Sequence, residues 1–168
     1  CKMNSNFNPL SAEELVSRIN KIPRIRLAQL PTVLEYAPNI SKELNINLYI
    51  KRDDCTALAF GGNKTRHLEF IMAKTLSGEY DCILTGAASQ SNFCRQAVAA
   101  ANKLNLDSYL VLMHGVKGKL MQGNFLLYNI LGANVDVVEG ENLEEIPKYL
   151  DNKYEELIKN NIPLNGMI

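Results

Sequence analysis

The stretch that decides the fold is Cys82-Ile83-Leu84-Thr85-Gly86-Ala87-Ala88-Ser89-Gln90-Ser91-Asn92, which passes from an apolar run into a loop of small and polar residues. Its apolar part, 82–85, predicts a buried strand, and the residues near 92–104 have the apolar spacing of a helix. The pattern then repeats, with strands predicted at 108–113 and 135–138 and helices at 123–131 and 143–160. Short apolar strands that alternate with amphipathic helices predict an α/β fold with a parallel sheet covered on both faces.

The chain before residue 81 is less regular. Ser11-Ala12-Glu13-Glu14 fits a capping box that opens a helix through about Ile19. Prolines then break the chain into short pieces, and a strand is predicted at Leu48-Tyr49-Ile50. A further helix is expected from about 63 to 76, directly after a glycine-rich loop.

The composition describes a protein with no strong charge preference. Apolar residues make up 46% and charged residues 21%, while Lys+Arg and Asp+Glu are 18 each. This balance argues against nucleic acid or an anionic membrane as the main partner. No apolar run approaches the roughly 18 residues of a spanning helix, and no secretory signal opens the chain. The four cysteines form no CxxC pair and the two histidines lie far apart, so we expect no metal site and reduced thiols in a cytoplasmic protein.

Both ends of the sequence look cut. Cys1 is not an initiator methionine, and Asn165-Gly166-Met167-Ile168 reads like the start of a strand. A length of 168 residues suits one ordinary domain or a piece of something larger. We therefore expect an incomplete chain.

The glycine-rich loop is Phe60-Gly61-Gly62-Asn63-Lys64-Thr65-Arg66, which places a lysine at the start of a predicted helix. Glycines let a backbone approach a ligand closely and adopt positive φ. A lysine at this point is a phosphate-binding cation, a carbonyl-capturing amine or a solvated surface residue. The phosphate-binding motif G-x-x-x-x-G-K-[ST] fails here, because Leu58 and Asn63 stand where its glycines belong.

The loop 85–92 is the second candidate for ligand contact. Ligands of parallel sheets bind beyond the carboxyl ends of the strands, near helix N-termini. Gln90, Ser91 and Asn92 could hydrogen-bond a ligand there, and free N–H groups would suit a carboxylate or phosphate oxygen. The alternative is an ordinary connection in which Ser91 or Asn92 only caps the next helix.

Taken in order, these motifs resemble the D-cysteine desulfhydrase and 1-aminocyclopropane-1-carboxylate deaminase family, which are pyridoxal-phosphate enzymes of the tryptophan-synthase-β-like fold, fold type II. The resemblance covers nearly the whole chain. Its segments are 26–32, 49–54, 61–66, 90–96, 122–124 and 131–133. It implies that residues 1–66 are the N-terminal part of a large domain and that residues 67–168 form a small α/β domain. If the rest of the large domain is absent, elements near 1–66 should expose apolar surface.

The resemblance also implies roles for individual residues. Lys64 matches the lysine that forms the internal aldimine with pyridoxal 5′-phosphate and then acts as a base. Asn92 matches the asparagine that hydrogen-bonds the pyridine O3′. Ser91 matches the serine that contacts the substrate carboxylate or assists proton transfer. Asn63 and the helix-start amides of Ser91, Asn92 and Phe93 fall in the neighbouring substrate pocket. Phe93 departs from the family, which often has histidine or glutamine there, and a phenyl ring cannot transfer a proton.

The implied activity is that of a lyase or deaminase acting on a small amino acid, in a homodimer. D-cysteine would give pyruvate, sulfide and ammonia, whereas 1-aminocyclopropane-1-carboxylate would give 2-oxobutanoate and ammonia. The phosphate loop and the partner of the pyridine nitrogen are not visible here, so the visible chain alone is expected to be inactive. A truncated, non-catalytic module and a nucleotide-binding α/β domain stay open as alternatives.

Three further residues are expected to have no functional role. We expect Cys55 and Cys94 to be small buried residues that pack in the core, and His114 to lie in a loop.

Overall fold

The computed structural model describes residues 9–114, 120–140, 142–160 and 162. The helices and strands, in chain order, are α1 (Ala12–Ile19), β1 (Leu34–Tyr36), α2 (Pro38–Leu44), β2 (Tyr49–Lys51), α3 (Lys64–Ser77), β3 (Cys82–Ala88), α4 (Asn92–Lys103), β4 (Asp107–Met113), α5 (Gly123–Ile130), β5 (Asn134–Val138) and α6 (Ile146–Lys159). The strand expected at Asn165-Gly166-Met167-Ile168 lies outside the described residues. None of the helices in the described ranges is both long and apolar enough to cross a membrane.

The predicted α/β fold with a parallel sheet is confirmed. Strands β3, β4 and β5 lie side by side in that order and are parallel throughout. Strand β3 is longer than the predicted 82–85, because residues through Ala88 pair with β4. The apolar pattern did not predict residues 86–88 as part of the strand, because Gly86 and the two alanines after it lack the large apolar side chains of a typical strand. Position 86 has no room for a side chain, because a Cβ on Gly86 would lie 2.8 Å from the Cγ2 of Ile146 in α6.

The two faces of the sheet carry alternating residues, as the pleat of a strand requires. On one face, Ile83, Leu110 and Leu112 pack with residues of α3, α4 and α5. On the other face, Leu84 and Val111 pack against α6. Both faces are therefore covered by helices, as predicted, and the apolar core lies on either side of the three strands.

The first part of the chain is built differently. Strands β1 and β2 form a separate two-stranded antiparallel sheet whose six residues are all exposed. Between residues 9 and 60, Leu27 is the one apolar side chain that is buried. Large apolar side chains such as Val33 and Leu34 are about 60% exposed (62% and 61%). This agrees with the expectation that elements near 1–66 expose apolar surface.

A buried carboxylate fastens this first part to the rest. Glu69 in α3 is fully buried, and its Oε1 accepts hydrogen bonds of 3.0 Å from the amides of Leu27 and Ala28. Its Oε2 accepts a 2.7 Å hydrogen bond from the Nε of Arg24. Burial raises the pKa of the Glu69 carboxyl, but the two amides and the guanidinium together outweigh this, so that the pKa lies below its usual range. The ionised form is thus the one that holds residues 24–28 on α3.

Local predictions were mostly confirmed. The amide of Glu14 donates to the Ser11 hydroxyl at the start of α1, as half of the predicted capping box requires. Cys94 is buried, as expected, and its burial raises the pKa of the thiol to about 11. Cys55 was expected to be buried and is exposed, because it sits in a 3₁₀ turn on the surface rather than under a helix. His114 lies outside regular structure after β4.

Candidate cofactor site

The two glycines of the glycine-rich loop lie where a side chain would not fit. Gly61 and Gly62 have φ angles of +71° and +131°. A Cβ on Gly61 would lie 1.8 Å from the carbonyl oxygen of Asp54, and one on Gly62 would lie 2.5 Å from the Nε2 of Gln96. Both glycines are therefore required by backbone conformation and by close approach at once.

A polar cluster fixes the ends of this loop. Arg66 donates two hydrogen bonds to the Asp53 carboxylate, from Nε at 2.9 Å and from Nη2 at 2.7 Å. These bonds lower the pKa of Asp53 below its usual range, against the opposing effect of burial. The carbonyl oxygen of the same aspartate accepts a 2.9 Å hydrogen bond from the amide of Gly62. The turn before α3 is thus tied to the first turn of α3 itself.

Lys64 is the first residue of α3 and is half-buried. Within the described ranges, its amine has no hydrogen bond and no ion pair. Asn63, at the cap position before it, is exposed and makes no side-chain capping bond. The loop therefore delivers an amine that no other described group holds.

The loop after β3 brings the second set of predicted residues to the N-terminus of α4. Ser91 is the N-cap, and its Oγ accepts a 3.3 Å hydrogen bond from the amide of Cys94. Its carbonyl oxygen accepts a 2.8 Å hydrogen bond from the hydroxyl of Tyr128 in α5. Ser91 therefore caps α4, as the sequence allowed. Its predicted contact with a substrate stays a prediction, and the cap leaves its hydroxyl proton available for that contact.

Asn92, the first residue of α4, is exposed but its side chain is held. Its Oδ1 accepts hydrogen bonds from the Nη1 of Arg95 at 3.2 Å and from the Nδ2 of Asn124 at 3.0 Å. The sequence motifs contained Arg95 and Asn124 but assigned them no role. The segment 122–124 was the only signal that could have pointed to Asn124.

The two loops meet at a cavity of about 300 Å³. The described residues that line it are Lys51, Asp53, Asp54, Phe60, Gly61, Gly62, Asn63, Asn92, Arg95 and Gln96. Asn63 and Asn92 are thus brought together, whereas Lys64 and Ser91 adjoin lining residues in the chain without lining the cavity themselves. Phe93 is half-buried and packs against the apolar core on the face of the sheet that α3, α4 and α5 cover.

One buried donor at this cavity has no partner. Gln96 is 1% exposed, and its Oε1 accepts a 2.6 Å hydrogen bond from the hydroxyl of Thr65. Its Nε2 has no hydrogen-bond partner among the described residues. A buried polar group without a partner is costly in a folded protein. The cavity therefore combines the loop that carries Lys64 with a buried N–H donor that has no partner among the described residues.

The fold and the site define an α/β protein with a lysine-bearing glycine loop opposite the N-terminus of a second helix. Comparison with known proteins places it more closely. The model of the pyridoxal-phosphate dependent enzyme family matches residues 25–164. The chain belongs to this family.

Its relatives include two kinds of enzyme. A putative 1-aminocyclopropane-1-carboxylate deaminase of Pyrococcus horikoshii is 39% identical over 145 residues, which are 86% of this chain and 43% of that protein. A D-cysteine desulfhydrase of Klebsiella pneumoniae is 38% identical over 140 residues, which are 78% of this chain and 43% of that protein. A crystal structure of an ACC deaminase homologue matches with a TM-score of 0.81 and 38% identity, over 88% of this chain and 45% of that one. The chain therefore spans less than half the length of these relatives.

The residues present fit part of a pyridoxal-phosphate site. The amine of Lys64 could hold the cofactor's aldehyde carbon, and the Nδ2 of Asn92 could donate to the O3′ oxygen on the pyridine ring. The two glycines let the loop pack closely against Asp54 and Gln96, since a Cβ at either position would meet one of these residues. The described residues show no second cluster of glycine amides of the kind that would hold the phosphate.

Proposed function

We propose that the protein is a pyridoxal-phosphate-dependent lyase or deaminase that acts on a small amino acid, with D-cysteine as the substrate. The observation that supports this best is the meeting of the Lys64 loop and Asn92 at one cavity. The products would be pyruvate, sulfide and ammonia. Similarity to the Klebsiella pneumoniae desulfhydrase favours this substrate.

The second candidate substrate is 1-aminocyclopropane-1-carboxylate, which would give 2-oxobutanoate and ammonia. It is favoured by similarity to the Pyrococcus horikoshii protein and to the solved ACC deaminase homologue. Phe93, which packs on the core, gives neither substrate a proton donor at its position.

In the proposed mechanism, bound pyridoxal phosphate would supply an electron sink for the electrons left at the substrate Cα. Lys64 would hold the cofactor through Nζ, and its amine would take up the proton from the substrate Cα. The Nδ2 of Asn92 would donate a hydrogen bond to the O3′ oxygen on the pyridine ring. Ser91 offers its hydroxyl proton to the substrate carboxylate while its oxygen continues to cap α4. Asn63, exposed on the cavity wall, contacts the substrate.

We also propose a division into two domains, with residues 1–66 in a larger domain and residues 67–168 in a smaller one. Exposed apolar side chains between residues 9 and 60 support the first part of this division. The boundary falls within α3, so that both parts share this helix. A cytoplasmic homodimer completes the proposal, since two-fold dimers are the commonest assembly. The alternative is a truncated, non-catalytic module that keeps the fold alone.

A pair of lysine variants tests the proposed function. Pyridoxal phosphate added to the protein as its gene encodes it should produce the absorbance band of a lysine-bound cofactor. We expect Lys64→Ala to lose this band and to lower turnover by at least about a thousandfold, as removal of a nucleophile does. Lys74→Ala, an exposed lysine in the last turn of the same helix, is the matched control and should keep both.

The outcomes separate the readings. A band that survives in Lys64→Ala would overturn the assignment of Lys64 as the residue that holds the cofactor. No band in the unaltered protein would overturn the proposed function in favour of a non-catalytic module. Release of sulfide from D-cysteine without 2-oxobutanoate from the cyclopropane acid supports the first substrate. The opposite pattern supports the second.

A further inference from the structure

The guanidinium of Arg95 connects three separate segments at the cavity. Its Nη2 donates a 3.0 Å hydrogen bond to the carbonyl oxygen of Gly61, in the loop that presents Lys64. Its Nη1 donates to the Oδ1 atoms of Asn92 at 3.2 Å and of Asn124 at 3.0 Å. One side chain thus joins the glycine loop to the first residue of α4 and to the first turn of α5.

These contacts are not an ion pair. All three acceptors are neutral oxygens, and the Nε of Arg95 is buried without a partner among the described residues. The planar guanidinium fork holds its donors in fixed directions, which lysine cannot reproduce. The arrangement therefore sets geometry rather than neutralising charge.

The contacts also decide which way the carboxamide of Asn92 points. Its Oδ1 receives two donors, from Arg95 and Asn124. A flipped amide would place Nδ2, which can only donate, against both of them. Since Oδ1 must face these donors, Nδ2 faces away from them, and it donates to no other described residue.

Asn124 is itself locked in one orientation. Its Nδ2 donates to the carbonyl oxygen of Gln90 at 2.7 Å as well as to Asn92, and its amide donates to the Oε1 of Gln90 at 2.9 Å. Both side-chain hydrogens and the side-chain oxygen of this buried residue are therefore engaged. A rigid neighbour can fix Asn92, whereas a mobile one could not.

We propose that Arg95 and Asn124 are positioning residues that hold the Asn92 carboxamide with its Nδ2 free to donate to the ligand, and that Arg95 keeps this donor in register with the Lys64 loop. The inference rests on the proposed function for the identity of the ligand. The orientation of Asn92 is a property of the protein alone and can be measured without cofactor.

Isosteric variants test the inference. Asn124→Asp keeps the acceptor for Arg95 but replaces the donor to Asn92 by a carboxylate oxygen, which favours a flipped Asn92 amide. Arg95→Lys keeps the charge but cannot reach three acceptors. The matched controls are Asn129→Asp on the exposed side of α5 and Arg18→Lys on α1. Thermal unfolding of each variant establishes that it is folded.

With pyridoxal phosphate added to the protein as its gene encodes it, both site variants should bind the cofactor about tenfold more weakly, the loss expected for one oriented hydrogen bond. The pH at which the cofactor band titrates should shift in the same direction as in Asn92→Ala. Combining Asn124→Asp with Asn92→Ala should add no further shift, because the first change acts through the second residue. Titration at the unaltered pH in both site variants, or a full further shift in the combined variant, would overturn the inference.

A measurement without cofactor separates this inference from the proposed function. The side-chain amide signals of Asn92 in ¹⁵N NMR, assigned by their loss in Asn92→Ala, should move in Asn124→Asp and stay in place in Asn129→Asp. Unmoved signals would refute the positioning role even where the unaltered protein binds pyridoxal phosphate. Moved signals in a protein that shows no cofactor band would support the positioning role and refute the proposed function.

Discussion

The two parts of the chain reach their folded state by different means. The sheet unit, residues 82–157, surrounds three parallel strands with helices and contains most of the buried apolar side chains. The first part, residues 9–60, contains one buried apolar side chain, Leu27, and a two-stranded sheet that is exposed throughout. One part is held by its own core, and the other is held to it by polar contacts and by the packing of Ile25, Leu27 and Leu58.

The cavity lies where these two parts meet, and this gives the difference a functional meaning. Its walls come from Lys51 and the glycine loop on one side and from the N-terminus of α4 on the other. Relative placement of the two walls depends on a few hydrogen bonds, such as the one from Arg95 to Gly61. The geometry of the site therefore depends on these hydrogen bonds more than on the packing of the apolar core.

The largest expected effect concerns the core itself. Leu112→Ala, at a fully buried position in β4, should lower the free energy of unfolding by about 2–5 kcal/mol, because it removes apolar contacts and leaves a cavity. Leu34→Ala, at a position that is 61% exposed in β1, should change it by about 0.5 kcal/mol or less in the 168-residue chain. Urea denaturation of the two variants measures both values.

The same pair of variants can break the comparison. Equal losses in the 168-residue chain would mean that β1 is packed as firmly as β4. In a protein that contains the whole of the proposed larger domain, Leu34→Ala should become as costly as a core substitution, since that domain would cover β1. A cost that stays near zero there would contradict the proposed domain division.

The next effect concerns the contact that fastens the first part to α3. Glu69→Gln removes the charge that accepts hydrogen bonds from Arg24 and from the amides of Leu27 and Ala28, which should cost about 2–3 kcal/mol. Hydrogen exchange of those two amides should become faster, while exchange in β4 stays unchanged. Glu155→Gln, an exposed position in α6, serves as the control. Faster exchange in both regions would show that they unfold as one unit.

The smallest effect is a pH dependence at the glycine loop. The pKa of Asp53 is lowered by its hydrogen bonds from Arg66, so its contribution to stability is present above the ordinary aspartate pKa of about 4 and is lost as pH falls through the lower folded-state value. A double-mutant cycle of Asp53→Asn with Arg66→Met should give a coupling of about 0.5–1 kcal/mol at pH 7, because the pair is partly exposed. The coupling should decrease as pH falls below about 4 and the Asp53 carboxylate takes up a proton. A coupling that does not change on acidification would contradict the assignment.

The same difference explains what could be predicted from the sequence. Among the described residues of the sheet unit, apolar periodicity recovered each strand and α-helix. It erred at the end of β3, where Gly86 and the alanines lack an apolar signal, and at 143–145, which form a 3₁₀ turn before α6. The cap by Ser91 and the positive φ of Gly132 after α5 also follow from local residue preferences. Local rules suffice where a segment's own side chains form the core.

Tertiary contacts set the limit. The roles of Arg95 and Asn124 depend on hydrogen bonds between residues 29 positions apart, which no local pattern records. Exposure of Cys55 likewise depends on a surface turn that composition does not reveal. The predicted roles of Lys64 and Asn92 came from family resemblance, and their placement at the junction required the fold.

The longer β3 has a consequence for how this site can change. At about 3.3 Å per residue, the three extra residues carry the chain about 10 Å further along the sheet before it turns. Only Ser89, Gln90 and Ser91 then separate the strand from α4. The amides of Ser89 and Ser91 donate to the carbonyl oxygens of Met113 and Ala88, so this three-residue connection is short and held in place. An inserted or deleted residue would rotate or displace α4, and we expect natural variation here to proceed by substitution rather than by changes in length.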